Sequence, residues 1–326
     1  MPKVIQTSGP GGIDVLEPAS VELDAPANDQ VLLRQTAIGV NLIDLYHRTA
    51  TEGQYAIEHP AVLGVEAAGV IEEVGSDVSD LAPGDRVAYC MVRGAYAQKR
   101  LIPAARLIKL PDFISDEQAA VCLVKGITAY YLLHRVYPVG PRDILLVHAA
   151  AGGVGQMLCQ WAKHLGATVI GTVGSSEKIP IAQAAGCDHV ILHDRGDFAE
   201  QVRTLTDGRG VDVVYDSIGR DTFFGSLDCL RPLGMMVSYG QASGAVPPFD
   251  ISILAQKGSV FLAKPTLATF VQDPAALRHL ASEVFQAIRK GAIRVEIGHR
   301  ASLNDVASIH AALESRKPLG LIALVP

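Results

Sequence analysis

Residues 149–155 read AAAGGVG, a run of glycines and small side chains with nothing reactive in it. Such a run serves chemistry through its backbone. Amides at a helix N-terminus can approach a pyrophosphate closely when no side chain stands between them. Against the spacing G-x-G-x-x-G, the three glycine positions fall on Ala150, Gly152 and Gly155, so the first is substituted. Downstream, Gly174, Ser175 and Lys178 form a second group of interest. A third group, Asn41, Asp44 and His47, recurs at three-residue spacing and shares one face if the segment is helical.

The elements around the glycine run decide how it is read. Residues 143–148, DILLVH, form a short apolar run expected of a parallel strand buried on both faces. Val154, Met157, Leu158, Trp161, Ala162 and Leu165 then follow helical spacing, Gly166 ends the helix, and residues 168–173 make a second strand. This is a βαβ unit with the glycines at its first turn, the context a dinucleotide site requires. A turn chosen only for tight packing is the competing reading.

The end of the second strand selects the coenzyme. NAD sites place a carboxylate there for the ribose hydroxyls, whereas NADP needs room and positive charge for an extra phosphate. Gly174 stands at that position, with Ser175 and Ser176 next and Lys178 within reach as a phosphate partner. Glu177 opposes this electrostatically, although on a helix it would face away from Lys178. Ser175 or Ser176 can equally be a helix cap. NADPH is the expected cofactor.

At 326 residues the chain has room for two domains. A net charge of −6 argues against partners that need a basic surface, namely nucleic acid and anionic membrane. No apolar run reaches the length of a membrane span, and the N-terminus lacks a signal-peptide profile. Cys90, Cys122, Cys159, Cys187 and Cys229 are scattered, with no C-x-x-C pair, as expected of free thiols in a reducing cytoplasm.

In chain order, residues 1–124 carry short strand-like segments separated by glycine-rich turns, the pattern of a partly open β-barrel. Residues 41–48 read as a short helix within it. Ser115 to Gln118 forms a capping box that opens one helix, and a second is expected over 125–137. Residues 125–266 alternate strands and helices, with six strands in all, the count of a doubly wound parallel sheet. Residues 267–326 are too few for a core of their own and are expected to return to the first domain, leaving a cleft where the parts meet.

Segments spread over the chain carry a family resemblance: residues 37–41 (AIGVN), 64–69 (GVEAAG), 83–87 (PGDRV), 125–130 (KGITAY), 148–155 (HAAAGGVG), 171–178 (GTVGSSEK) and 215–219 (YDSIG). In this order they resemble the quinone oxidoreductase (zeta-crystallin-like) branch of the medium-chain dehydrogenase/reductase superfamily. The resemblance implies a GroES-like catalytic domain plus a six-stranded Rossmann domain. It implies NADPH contacts from Asn41, Lys125, Thr128, Gly152, Gly153, Val154, Gly174, Ser175, Lys178, Tyr239 and Arg316. His193 stands where close relatives often carry a tyrosine beside the adenine ribose. The acceptor cleft is implied near Asn41, Asp44, Tyr46, Thr128 and Lys264. A homodimer pairing the last Rossmann strand, about residues 259–263, is also implied.

Zinc-dependent alcohol dehydrogenases of the same superfamily place a His before the Glu of a G-H-E segment; here that residue is Val65. Asn41 lies near the place of their cysteine ligand, and the four-cysteine lobe is missing, so no metal is expected. Hydride from NADPH to a quinone is the implied reaction, with Asn41, Tyr46 or Lys264 able to hydrogen-bond the developing charge. Tyr46 as a pocket-wall aromatic and Asp44 as a hydrogen-bond partner of nearby backbone remain the competing readings. So do an enone or alkenal acceptor and a non-catalytic NADPH-binding protein.

Overall fold

The computed structural model describes residues 1–193, 198–315, 317 and 320–326. The chain clusters into two compact units, one of Met1–Val124, Val271–Phe285 and Val295–Pro326, the other of Lys125–Phe270 and Gln286–Arg294.

In the second unit six parallel strands lie in the order His189–Leu192, Thr168–Val173, Ile144–Val147, Val211–Asp216, Leu230–Ser238 and Phe261–Ala263. The sheet grows outward from Ile144–Val147 in both directions, which is the doubly wound arrangement the sequence predicts. One ladder row shows why these strands read as unbroken apolar runs. Ile170, Leu146, Val214 and Met236 are successive register partners and all are buried in one core.

The first unit is built on the strand Gln30–Gly39. It pairs antiparallel with Glu66–Val74 along its length, with Lys99–Pro103 at its start and with Leu321–Val325 at its end. The C-terminal strands Ile297–Ser302 and Leu321–Val325 thus complete the sheet begun by the N-terminal third of the chain. Leu33, Ile38, Val87, Tyr89 and Leu324 form part of its buried core.

One local expectation changes. The helices expected from Ser115 and over 125–137 are one helix, Asp116–Tyr131, running into a π-helical turn at Leu132–Val136. Gly126 costs such a helix about 1 kcal/mol, too little to break a segment whose Ala119, Val121, Leu123 and Ile127 are fully buried. Its start keeps the capping box: Gln118 N–H donates to Ser115 Oγ and Ser115 N–H to Gln118 Oε1, both at 3.2 Å. Among the described residues no helix is long and apolar enough to cross a membrane.

Candidate functional site

The candidate nucleotide site lies in the second unit. After the strand Ile144–Val147 the chain turns through Ala149, at φ +51°, and Gly152 takes the N-cap position of the helix Gly153–His164. The Gly152 N–H donates to the Ala149 carbonyl at 2.8 Å, and Ala150 N–H donates to Thr172 O at 3.0 Å. A Cβ on Gly155 would stand 2.3 Å from that same Ala149 carbonyl oxygen, so the turn closes only around glycine. The substituted first position is explained by its neighbour. A Cβ on Gly171 would lie 2.7 Å from the Ala150 methyl and 2.6 Å from Cys187 Sγ; the absent side chain at 171 makes room for the one at 150. The helix therefore opens on Gly152, Gly153 and Val154 with no capping side chain, and its first amides suit an anion.

Gly174 follows the strand Thr168–Val173. It is exposed, and a Cβ there would meet no atom within 4 Å. Ser175 is extended and begins a 3₁₀ turn, Ser176–Lys178. The Ser175 hydroxyl donates to Glu177 Oε1 at 3.3 Å, so it must turn from Glu177 to donate to a phosphate. The space, the hydroxyls and Lys178 fit a ribose 2′-phosphate.

Further along the sheet, Lys264 Nζ lies 3.4 Å from both Ser238 Oγ and the Gly240 carbonyl. Burial holds its ammonium below the usual lysine range, with Asp216 pulling the other way. Burial pushes the Tyr239 hydroxyl up, a hydrogen bond with Ser217 opposing it. Lys125 and Thr128 are both buried, three residues apart on the helix Asp116–Tyr131. The His193 N–H donates to Val173 O at 2.8 Å, and its ring packs edge-to-face on Phe198 with centroids 5.0 Å apart. Arg316 lies outside the described residues.

Asp216, in the same unit, was not among the sequence candidates. Its Oδ1 accepts from Ile218 N–H at 2.7 Å and Gly219 N–H at 3.0 Å; its Oδ2 accepts from Thr222 Oγ1 at 2.7 Å and Ser226 Oγ at 3.2 Å. Ser226 in turn meets His148 Nε2 at 2.9 Å, and His148 Nδ1 meets Thr172 Oγ1 at 2.8 Å. Burial pushes His148 down to about 4, against the pull of Asp216 and helped by His193. The signal was in the YDSIG segment, where a carboxylate precedes a small residue and a glycine.

A second group of candidates lies in the first unit, on the helix Leu42–Thr49. Asn41 caps it, with Asp44 Oδ2 accepting from the Asn41 backbone N–H at 2.9 Å. The Asn41 side-chain nitrogen donates to Glu66 Oε1 at 3.0 Å, and Glu66 Oε2 accepts from the Val124 N–H at 2.8 Å. Glu66 is fully buried and was not among the sequence candidates. Tyr46 packs against Tyr55 with ring centroids 5.0 Å apart at 45°, so the segment after the helix brings a second tyrosine to the same place. Burial, and then the Arg93 charge, push the neighbouring His47 down to about 4.

Family models match both parts of the chain: "Alcohol dehydrogenase GroES-like domain" over residues 27–112 and "Zinc-binding dehydrogenase" over 153–287. A Pseudomonas aeruginosa "Quinone oxidoreductase" is 43% identical across the whole of both chains. The chain belongs to the quinone oxidoreductase family of the medium-chain dehydrogenase/reductase superfamily.

Within that family the similarities run in two directions. A Burkholderia "2-haloacrylate reductase" is 44% identical over 97% of this chain and 96% of its own. The solved structure of Escherichia coli quinone oxidoreductase complexed with NADPH is 41% identical, covers 99% of this chain and all of its own, and superposes with a TM-score of 0.95. Residue 65 is a buried valine, and among the described residues no three His, Cys, Asp or Glu side chains gather as metal ligands.

Proposed function

We propose that this chain is an NADPH-dependent quinone reductase. The observation that carries the reading is the strand end at Gly174, open and exposed, with Ser175 and Lys178 beside it, following a glycine turn that leaves a helix N-terminus uncapped. The E. coli relative complexed with NADPH has the same fold.

Gly152, Gly153 and Val154 would hold the pyrophosphate on the helix amides, and Ser175 and Lys178 the 2′-phosphate. When bound, NADPH supplies the hydride. The protein's own work is to orient the acceptor and stabilise charge on its oxygen. A quinone accepts hydride readily because the charge arrives on an oxygen already conjugated to the reacting centre. Asn41, its amide fixed by Glu66, and Tyr46, braced by Tyr55, supply polar contacts to that oxygen. Lys264, with burial already acting against its charge, gains from a developing negative partner. The final proton comes from Tyr46 or from solvent. Asp44 positions this group by holding the cap of its helix.

The enzyme is proposed to be cytoplasmic and to act as a homodimer. Phe261 and Leu262 are 55% and 37% exposed on the edge strand Phe261–Ala263, and pairing that strand with a second copy would cover them. Side-by-side turnover of a benzoquinone and a short enone tests the acceptor. Faster benzoquinone reduction is expected; faster enone reduction would place the chain with the 2-haloacrylate reductase in chemistry.

A further inference from the structure

A closed circuit of hydrogen bonds inside the first unit has a direction that its geometry fixes. Arg48, fully buried, places Nη1 3.1 Å from His310 Nδ1. A guanidinium only donates, so Nδ1 accepts and the neutral imidazole carries its proton on Nε2. Burial, and then the Arg48 charge, hold His310 down to about 3, in keeping with a neutral ring. His310 Nε2 lies 2.9 Å from the Tyr96 oxygen and donates to it. The Tyr96 hydrogen then goes to Asp44 Oδ2, 3.0 Å away, the same oxygen that takes the Asn41 backbone N–H. Asp44 and Arg48 are four residues apart on the helix Leu42–Thr49, so the circuit ends on the helix where it began.

The members are held independently of one another. Tyr96 donates its N–H to Leu63 O at 2.9 Å and accepts from Ile5 N–H at 2.8 Å. Its ring occupies the space over Gly64, at φ +81°, where a Cβ would stand 2.5 Å from it. Arg48 is anchored through Nε to Gly11 O at 3.1 Å and through Nη2 to Glu314 on the helix that carries His310. A helix cap alone would need only the Asn41 N–H; the circuit adds a second donor of fixed direction to the same carboxylate.

We propose that Tyr96 and His310 are positioning residues for the acceptor site. The directional chain Arg48 to His310 to Tyr96 to Asp44 fixes the Asp44 carboxylate, and with it the first turns of the helix that present Asn41 and Tyr46. This rests on the reading of Asn41 and Tyr46 as the residues that meet the acceptor.

The wiring is tested apart from that reading by nitrogen NMR of the full-length protein labelled with ¹⁵N-histidine. His310 is expected as a neutral ring protonated on Nε2 from pH 8 to 5; a ring protonated on Nδ1, or a charged one, overturns the proposal. The positioning role is tested by Tyr96→Phe, which removes one hydroxyl and keeps the ring. The acceptor kcat/KM is expected to fall about tenfold while the KM for NADPH stays within about twofold. His310→Gln, whose amide can still donate to Tyr96, should keep more activity than His310→Leu. Unchanged acceptor kinetics in Tyr96→Phe, or acceptor and NADPH parameters worsening together, overturn the role. A wild-type enzyme that turns over no acceptor but shows the Nε2 proton defeats the functional reading and the positioning role, leaving only the wiring.

Discussion

The Asn41 side-chain nitrogen donates to Glu66 Oε1 at 3.0 Å, and the second Glu66 oxygen takes the Val124 N–H at 2.8 Å. A buried carboxylate that only accepts therefore sets which end of the Asn41 amide faces it. Glu66→Gln keeps the volume but can present its NH₂ group to Asn41. An acceptor kcat/KM about tenfold lower is expected from loss of that one oriented contact. Steady-state kinetics at saturating NADPH would measure it, and an unchanged value would detach Asn41 from the reaction.

Gly174→Asp tests the coenzyme pocket. The backbone has no positive φ there and a new Cβ meets no atom within 4 Å, so the fold should tolerate the change. A carboxylate at that place repels a 2′-phosphate and suits free ribose hydroxyls. The KM for NADPH should rise at least about tenfold, roughly 1.4 kcal/mol, while that for NADH falls. Parallel titration of both coenzymes reads the ratio; an unmoved ratio would place the 2′-phosphate elsewhere.

Gly171→Ala tests why alanine is tolerated at 150. The new methyl would come within 2.7 Å of Ala150 Cβ and 2.6 Å of Cys187 Sγ. Overpacking of this kind costs about 1–3 kcal/mol. Denaturant unfolding should show that loss, together with weaker NADPH binding as the turn shifts. Adding Ala150→Gly should recover part of it, and no recovery would separate the two positions.

Stability should decline in acid through three histidines. Burial, assisted by Arg93 at His47, by His193 at His148 and by Arg48 at His310, lowers their folded values to about 4, about 4 and about 3. Unfolded, each protonates near 6.5, so below that pH the unfolded chain binds more protons and stability falls with pH. The contribution is complete above about pH 6.5 and is lost as pH drops toward those folded values. Each such proton adds a slope of about 1.4 kcal/mol per pH unit. Unfolding midpoints between pH 7 and 4.5 would show it, and His148→Asn should flatten the slope; midpoints independent of pH would contradict the buried, neutral state.

The doubly wound sheet was legible because its information is local. Apolar strands such as 143–148, the glycine turn and the helical spacing after it all sit within one βαβ unit. The helix over 116–131 was less so, because Gly126 signals a break that burial overrides. Least legible were Glu66, Tyr96 and His310. Their partners lie 25, 52 and 262 residues away along the chain, at Asn41, Asp44 and Arg48, and no spacing rule spans such distances. Asp44, by contrast, was visible as a polar residue at helical spacing, although its link to Tyr96 was not.

The most direct test is the initial rate of coenzyme oxidation with 1,4-benzoquinone, comparing NADPH and NADH on enzyme treated with a strong chelator. Turnover is expected to survive chelation, with kcat/KM for NADPH at least about tenfold above that for NADH. No turnover, a preference for NADH, or activity restored only by added zinc would contradict it.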